Sequence, residues 1–339
     1  MRTFTIHIGR NKTGTSTLQS DLSQSRDLLE QHGFTYPGKM VHHGDMVYNF
    51  LPELDAAFPE EERQIRRSRY RELAEEVQAE GNYILSSEGL QLCPPEAIKA
   101  WVGDAPTKIV VYLREQLAYL ASSYQQEIKQ MKTHTTFREW SAQFPIEVLD
   151  YTDFIASWVT AFGRENVIVR SYDKSHLKNA DITHDFLNLI GITNAVEFTK
   201  KRRSDRNLSI GGPLLEAKRI MNRSAIDQFT LLKLTFKAMQ LSSRLVKDYS
   251  SGVGIEPDYV ESIRSILSKA NSAIAREHIG ADQLFTFKDF PDPVIYSKEE
   301  IHEAYIHLMH NISDLPTDLM HELMDTLDRE TKERVSELS

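Results

Sequence analysis

The sequence predicts an α/β fold with a central parallel β-sheet flanked by helices, followed by a C-terminal helical extension. Three observations carry that expectation. Short apolar runs at Phe4–Ile8, Asn82–Ser87, Lys108–Leu113 and Asn166–Arg170 alternate with helix-period patterns through about residue 195. The run Lys108-Ile-Val-Val-Tyr-Leu-Arg114 is continuously apolar between charged ends, as a strand covered on both faces requires. Beyond residue 210 the helical patterns continue with almost no strand signal.

Taken in order, Phe4–Ile8 passes through a small-residue turn into a helix over Ser16–His32, closed by Gly33 as its C′ residue. Residues 34–60 read as loop, with Pro37-Gly38 and His42-His43-Gly44. Glu60–Glu80 carries an apolar stripe (Ile65, Leu73, Val77) and ends at Gly81 before the second strand. The third strand continues into a helix from Glu115 to Gln126, with Leu117, Leu120 and Ala121 on one side. Tyr151–Phe162 is a helix before the fourth strand, and Asp181–Ile190 is one stopped by Gly191. The extension carries helical patterns over Leu214–Tyr249, Asp258–His278, Ser297–Met309 and Pro316–Glu337, with Ser250-Ser-Gly-Val-Gly254 as a joint. The expected organisation is a core over residues 1–210 and a helical extension over 211–339. That extension either shapes a binding cleft, forms a homodimer contact, or only covers apolar surface.

Composition narrows the function. The 339 residues are 40% hydrophobic and 26% charged, the balance of an ordinary globular protein. A net charge of −9 argues against a general nucleic-acid binder, which shows a basic excess. There is no run of 18 apolar residues, so no membrane span is expected. The first residues already read as strand and loop rather than a signal peptide, and a cytoplasmic enzyme is the simplest expectation. The single cysteine, Cys93 beside Pro94-Pro95, excludes an internal disulfide framework and reads as a packed side chain.

The chemistry concentrates in Gly9-Arg-Asn-Lys-Thr-Gly-Thr-Ser-Thr17. A strand that ends in such a turn and opens a helix is a phosphate cradle, in which backbone N–H groups point at an anion. Lys12 adds a point charge, and the hydroxyls of Thr13, Thr15, Ser16 and Thr17 add donors. A Walker A loop places its Lys after the second Gly. Here Lys12 precedes Gly14, so that pattern fails.

Lys12-Thr-Gly-Thr-Ser-Thr17 resembles instead the 5′-phosphosulfate loop of sulfotransferases, which use 3′-phosphoadenosine 5′-phosphosulfate (PAPS). A second signature agrees. Sulfotransferases carry an Arg at a strand end and a Ser eight residues later, together gripping the 3′-phosphate; Arg114 and Ser122 have that spacing, and Tyr124 follows. An Arg can form a planar bidentate pair with phosphate oxygens that Lys cannot reproduce. A looser third signature is Lys200-Lys-Arg-Arg-Ser-Asp-Arg-Asn-Leu-Ser209, with five cations in its first seven residues and an Asn-x-Ser element. The resemblance covers roughly residues 1–215. It implies a P-loop-like three-layer fold and transfer of a sulfuryl group from PAPS to an acceptor hydroxyl on a carbohydrate or glycan. It implies cofactor contacts from Arg10, Asn11, Lys12, Thr13, Gly14, Thr15, Ser16, Thr17, Arg114, Ser122, Arg206, Asn207 and Ser209. No metal is expected, since Lys and Arg supply the positive charge.

The transfer also needs a base within reach of the incoming hydroxyl. Glu88, directly after the second strand, stands where sulfotransferases place one, and it is the expected base, with Lys12 stabilising the leaving phosphate. His42 and His43 are rivals because an imidazole titrates near neutrality; His43 is kept as a second base or an acceptor contact. Two other readings stay open. A nucleotide kinase needs Mg²⁺ and an acidic residue ending an apolar strand, for which only Glu88 is suitable. A non-catalytic nucleotide-binding protein of the same fold is the other, and intact Lys12, Glu88, Arg114 and Ser122 argue against it.

Overall fold

The structure is a computed structural model. It describes residues 1–200, 210–223 and 252–310, with Thr235, Asp325, Asp328 and Arg329. These pack as two compact units. The first contains Met1–Glu115, Leu149–Arg203 and Leu267–Phe287; the second contains Gln116–Val148, Ser204–Ile266 and Lys288–Ser339. Residues 211–339 therefore do not pack as a unit by themselves, because Leu267–Phe287 belongs with the first.

The first unit holds the sheet. Strands β1 (Arg2–Ile8), β2 (Phe34–Thr35), β3 (Gly81–Ser87), β4 (Thr107–Leu113) and β5 (Val167–Ser171) lie in the order β2-β3-β1-β4-β5, and every pairing is parallel. The four expected strands are present, and the expected α/β class with a parallel sheet is the one observed. Because side chains alternate across a strand, one continuous apolar run serves two cores. Phe4, Ile6, Ile8, Leu85, Ile109 and Val111 face one core. Against them pack helices α3 (Asp45–Phe50), α5 (Glu60–Glu76), α6 (Pro95–Val102) and α10 (Thr152–Phe162), which bring Met46, Leu73, Ile98 and Trp158. Ile84, Val110 and Tyr112 face the other core with Leu18, Leu22, Leu29 and Phe186 from α1 (Thr15–Gln24), α2 (Arg26–Gln31) and α11 (Ile182–Leu189). Each fully buried aliphatic side chain contributes about 1.5–3 kcal/mol.

Three local readings change. The single helix expected over Ser16–His32 is two, because Ser25 leaves the helical region at φ −120° and separates α1 from α2. Residues 34–60 are not all loop: β2 pairs Phe34 with Asn82 and Thr35 with Tyr83, and α3 and a short α4 (Pro52–Asp55) follow. Arg26 braces this stretch, donating to the carbonyls of Ser23, Tyr36 and Met40 at 2.6, 3.1 and 2.7 Å. The helix expected over Glu60–Glu80 stops at Glu76.

The second unit is helical where it is described. It includes α7 (Gln116–Lys129), α8 (Phe137–Ser141), a short α9 (Ile146–Leu149) that ends past its boundary, and, further on, Gly212–Met221. A capping box closes the start of α8, with Thr136 and Glu139 exchanging hydrogen bonds. Asn222 donates to the carbonyls of Ile128 and Thr133 at 2.9 and 2.8 Å, and Arg219 to that of His134, so the Gly212–Met221 helix holds the 128–134 turn. A cavity of about 520 Å³ lies within this unit, lined by Tyr124, Phe137, Leu215, Val253, Pro293 and Tyr296 among others. No described helix is long and apolar enough to cross a membrane.

Candidate active site

Strand register builds the site. β1 and β3 run parallel with Ile8 opposite Ser87, so Gly9 and Glu88 leave the sheet side by side at its carboxyl edge. β4 and β5 end level too, with Leu113 opposite Ser171, so Arg114 and Tyr172 also leave together. In open parallel sheets this edge is where ligands bind.

The loop from β1 to α1 is a tight backbone cradle. Lys12 has φ 64° and Gly14 has φ 74°, so two left-handed residues flank Thr13. For Lys12, a residue with a Cβ, that conformation costs about 1–2 kcal/mol. Interactions inside the loop hold it: the Thr13 hydroxyl donates to the Arg10 carbonyl at 2.6 Å, and the Gly14 carbonyl accepts from the Thr17 and Leu18 N–H groups. A methyl group at Gly9 would meet the Thr15 side chain at 2.7 Å, and one at Gly14 would meet the Tyr172 hydroxyl at 2.7 Å. Both glycines are there because the backbone is crowded. At the very start of a helix, before the Thr17 and Leu18 N–H groups that the Gly14 carbonyl takes up, the backbone N–H groups have no intrahelical carbonyl to reach, which suits the cradle to an anion.

Arg114 ties β4 to this loop. Its Nη1 donates to the Lys12 carbonyl at 2.9 Å, and the Tyr151 hydroxyl donates to the Arg114 carbonyl at 2.8 Å. Burial lowers the Arg114 pKa, partly offset by Tyr172, Glu115 and Tyr151. A guanidinium has further N–H groups for a second acceptor.

Glu88 opens a short 3₁₀ turn, Glu88–Leu92, directly after β3. Burial pushes its carboxyl above the ordinary carboxylate range, while a hydrogen bond from Thr15 and the charges of Lys12 and His42 pull it back. Glu88, Thr15, Lys12 and His42 thus share one electrostatic neighbourhood. Gln91 closes the turn onto the loop, with its Nε2 donating to Asn11 Oδ1 at 3.0 Å and to the Glu88 carbonyl at 2.9 Å.

The two histidines differ. His43 is buried, its Nδ1 accepts from the Ser86 N–H at 2.9 Å, and its Nε2–H donates to the Pro37 carbonyl at 2.9 Å. With both nitrogens engaged and burial driving its pKa down to about 4, His43 is a neutral brace on the end of β3. That geometry gives it no nitrogen with which to take an acceptor's proton. His42 is exposed, and its Nδ1 accepts from the Gly44 N–H at 3.0 Å.

The other expected residues sort by what they touch. Thr13 and Thr15 are buried, Thr13 turned onto the loop itself and Thr15 reaching Glu88, whereas Ser16 is exposed and Thr17 half-buried at the start of α1. The Arg10 guanidinium lies over the rings of Tyr151 and Phe154, at 5.1 and 4.7 Å from their centroids. Ser122 is half-buried on α7, in the second unit. Tyr124 is buried there, its ring against Phe137 and Trp140 and its hydroxyl donating to the Thr135 carbonyl at 2.8 Å. Arg206, Asn207 and Ser209 lie outside the described residues. Among the described residues, no group of three or more His, Cys, Asp or Glu side chains is arranged to hold a metal ion.

Tyr172 carries no motif in the sequence, and the structure sets its ring against Gly14. Its hydroxyl pKa is raised by burial and lowered by Arg114. Only the β4–β5 register brings Tyr172 to the loop, and no motif in the chain announces that pairing.

No protein-family model matches the chain. It is 25% identical over 186 residues to an uncharacterized protein of Archaeoglobus fulgidus, covering 54% of this chain and 49% of the relative. The match therefore spans about half the length of that relative. Among solved structures, a sulfotransferase from Alicyclobacillus acidocaldarius aligns over 81% of this chain and 95% of its own, at 18% identity and a TM-score of 0.42.

Proposed function

We propose that this protein is a PAPS-dependent sulfotransferase that sulfates a hydroxyl on a carbohydrate or glycan. The observation that carries the reading is the side-by-side exit of the phosphate loop and Glu88 from β1 and β3. It sets a cation, a row of backbone donors and a carboxylate of raised pKa in one place. The loop fits a phosphosulfate because Gly9 and Gly14 keep its backbone close, with no room for a methyl at either. Bound at the loop, the donor supplies the sulfuryl group.

The α1 N-terminus and Lys12 bind the 5′-phosphate, and Lys12 offsets the charge that grows on it as the sulfur–oxygen bond to phosphate breaks. Arg114 binds the 3′-phosphate while bracing the Lys12 carbonyl. Glu88 takes the proton of the acceptor hydroxyl as that hydroxyl's oxygen bonds to sulfur, and its raised pKa makes it a stronger base than an ordinary carboxylate. The products are a sulfate ester and 3′-phosphoadenosine 5′-phosphate (PAP). His43 braces this base rather than serving as one. The carbohydrate acceptor and Ser122 as the second 3′-phosphate contact follow from the motif resemblance.

The test is Glu88→Gln, nearly isosteric but unable to accept a proton. Transfer from PAPS should fall by about 10²–10⁴-fold with PAP affinity unchanged. Turnover within a few-fold of wild type would remove Glu88 from the reaction.

A further inference from the structure

The backbone of Arg10 helps to build the phosphate loop, and its side chain goes elsewhere. The Arg10 carbonyl accepts from the Thr13 hydroxyl at 2.6 Å and from the Thr15 hydroxyl at 3.4 Å. The guanidinium instead lies 5.1 Å from the centroid of the Tyr151 ring and 4.7 Å from that of Phe154. Tyr151 is buried and tied through its hydroxyl to the Arg114 carbonyl, so it is a fixed wall. Two ring faces attract a cation and restrict its motion.

The two faces of the sheet separate this side chain from the cradle's helix. α1 packs through Leu18 and Leu22 on one core. Tyr151 and Phe154 pack on the other, together with Leu90 from the Glu88 turn. Asn11, next to Arg10, is fastened to that same turn, because Gln91 Nε2 donates both to Asn11 Oδ1 and to the Glu88 carbonyl. Arg10 is therefore a half-buried cation on the Glu88 side of the loop. Among the described residues its N–H groups donate to no acceptor and no carboxylate pairs with it, although Asp150 and Asp153 lie beside Tyr151 in the chain. Asp150 accepts from the Thr152 N–H at 2.8 Å instead. The rings thus fix where the guanidinium sits and leave its planar fork of donors, which matches an oxyanion, unspent.

Resting on the transfer reading above, we propose that Arg10 is a specificity-determining residue that pairs with an anionic group, a carboxylate or a sulfate ester, on the carbohydrate acceptor. In that reading the phosphates of the nucleotide already have partners in the α1 N-terminus, Lys12 and Arg114. An anionic acceptor that approaches Glu88 meets a like charge, and a fixed cation on the same side offsets the repulsion.

The test uses the full chain saturated with PAP, which keeps added anions out of the phosphate loop. With isotope-labelled arginine, the Arg10 Nε–H signal is assigned by its loss in Arg10→Lys. Methyl glucuronoside should move that signal, and methyl glucoside at matched ionic strength should require at least about tenfold higher concentration, the weight of one charge-assisted contact. Sodium sulfate as the titrant distinguishes a sulfate ester from a carboxylate as the group recognised. The anion that moves the signal should also raise the melting temperature of the PAP complex more in wild type than in Arg10→Gln, whose PAP affinity should stay within a few-fold of wild type. An Arg10 signal unmoved by either anion, or an equal melting shift in Arg10→Gln, leaves Arg10 as a brace and overturns the inference. A tenfold or greater loss of PAP affinity in Arg10→Gln overturns it too, by making Arg10 a nucleotide contact. A wild-type protein that PAP fails to stabilise overturns the transfer reading instead, so the two failures are distinguishable.

Discussion

Arg114 Nη1 donates to the carbonyl of Lys12 at 2.9 Å, joining residues 102 positions apart in the chain. The acceptor is the one residue of the cradle that is both left-handed and not glycine. Arg114 thus stabilises the strained conformation of the loop, and under the proposed function the same guanidinium also binds the 3′-phosphate.

This double duty gives Arg114→Ala two effects. PAP affinity should weaken by about 2–4 kcal/mol, since a charge-assisted contact is lost and a bound phosphate is left unpaired. The unliganded protein should also lose about 1–2 kcal/mol as the Lys12 carbonyl loses its charged donor. Calorimetric titration with PAP and chemical denaturation of the free protein separate the two. A variant with normal PAP affinity would remove Arg114 from the nucleotide site.

Glu88 should make the protein less stable at neutral pH than it need be. Its folded pKa is raised by burial, so the stability it contributes is present below its unfolded pKa and lost as pH rises through the folded value. Glu88→Gln should therefore melt above wild type at neutral pH, with the difference closing toward about pH 4. A Glu88→Gln protein that melts below wild type at every pH would mean that its contacts to Thr15 and Lys12 outweigh desolvation.

His43 works in the opposite direction. Its folded pKa lies near 4 against 6.5 for a free imidazole, so its contribution is complete above pH 6.5 and is lost as pH falls toward 4. His7, buried with Nδ1 2.8 Å from Ser86 Oγ and a pKa near 3, adds a second loss beginning at the same pH. His43→Ala should cost about 2–4 kcal/mol at neutral pH, through a stranded Ser86 N–H and Pro37 carbonyl. It should also flatten the acid side of the stability profile without abolishing it. Urea midpoints across that range measure both; an unchanged acid slope would contradict the neutral, buried histidine.

Much of this architecture was legible in the chain, for physical reasons that differ by element. β4 could be read because six of the seven residues of Thr107–Leu113 are buried, with Ile109–Leu113 covered on both faces, which leaves an uninterrupted apolar run. β2 could not, because two residues, Phe34 and Thr35, make no periodicity, and their pairing with Asn82 and Tyr83 is a long-range fact. The phosphate loop was visible in its glycines and lysine, since close backbone approach demands particular residue types. Which of two adjacent histidines is buried was not visible: His42 and His43 have the same chemistry, and only the hydrogen bonds to Ser86 and Pro37 tell them apart. The contact of Tyr172 with Gly14 depends on two strands ending level, which spacing along the chain does not encode.

Under the proposed function, this loop and Arg114 recognise a nucleotide phosphorylated at both the 5′ and 3′ positions. Thermal unfolding of the wild-type protein with PAP, ADP or Mg-ATP tests it most directly, before any acceptor is known. PAP should raise the melting temperature well above either other nucleotide, the rise should not depend on Mg²⁺, and Arg114→Ala should remove most of it. Equal stabilisation by ADP and PAP, or a shift that requires Mg²⁺, would contradict a 3′-phosphate site and point to phosphoryl rather than sulfuryl transfer.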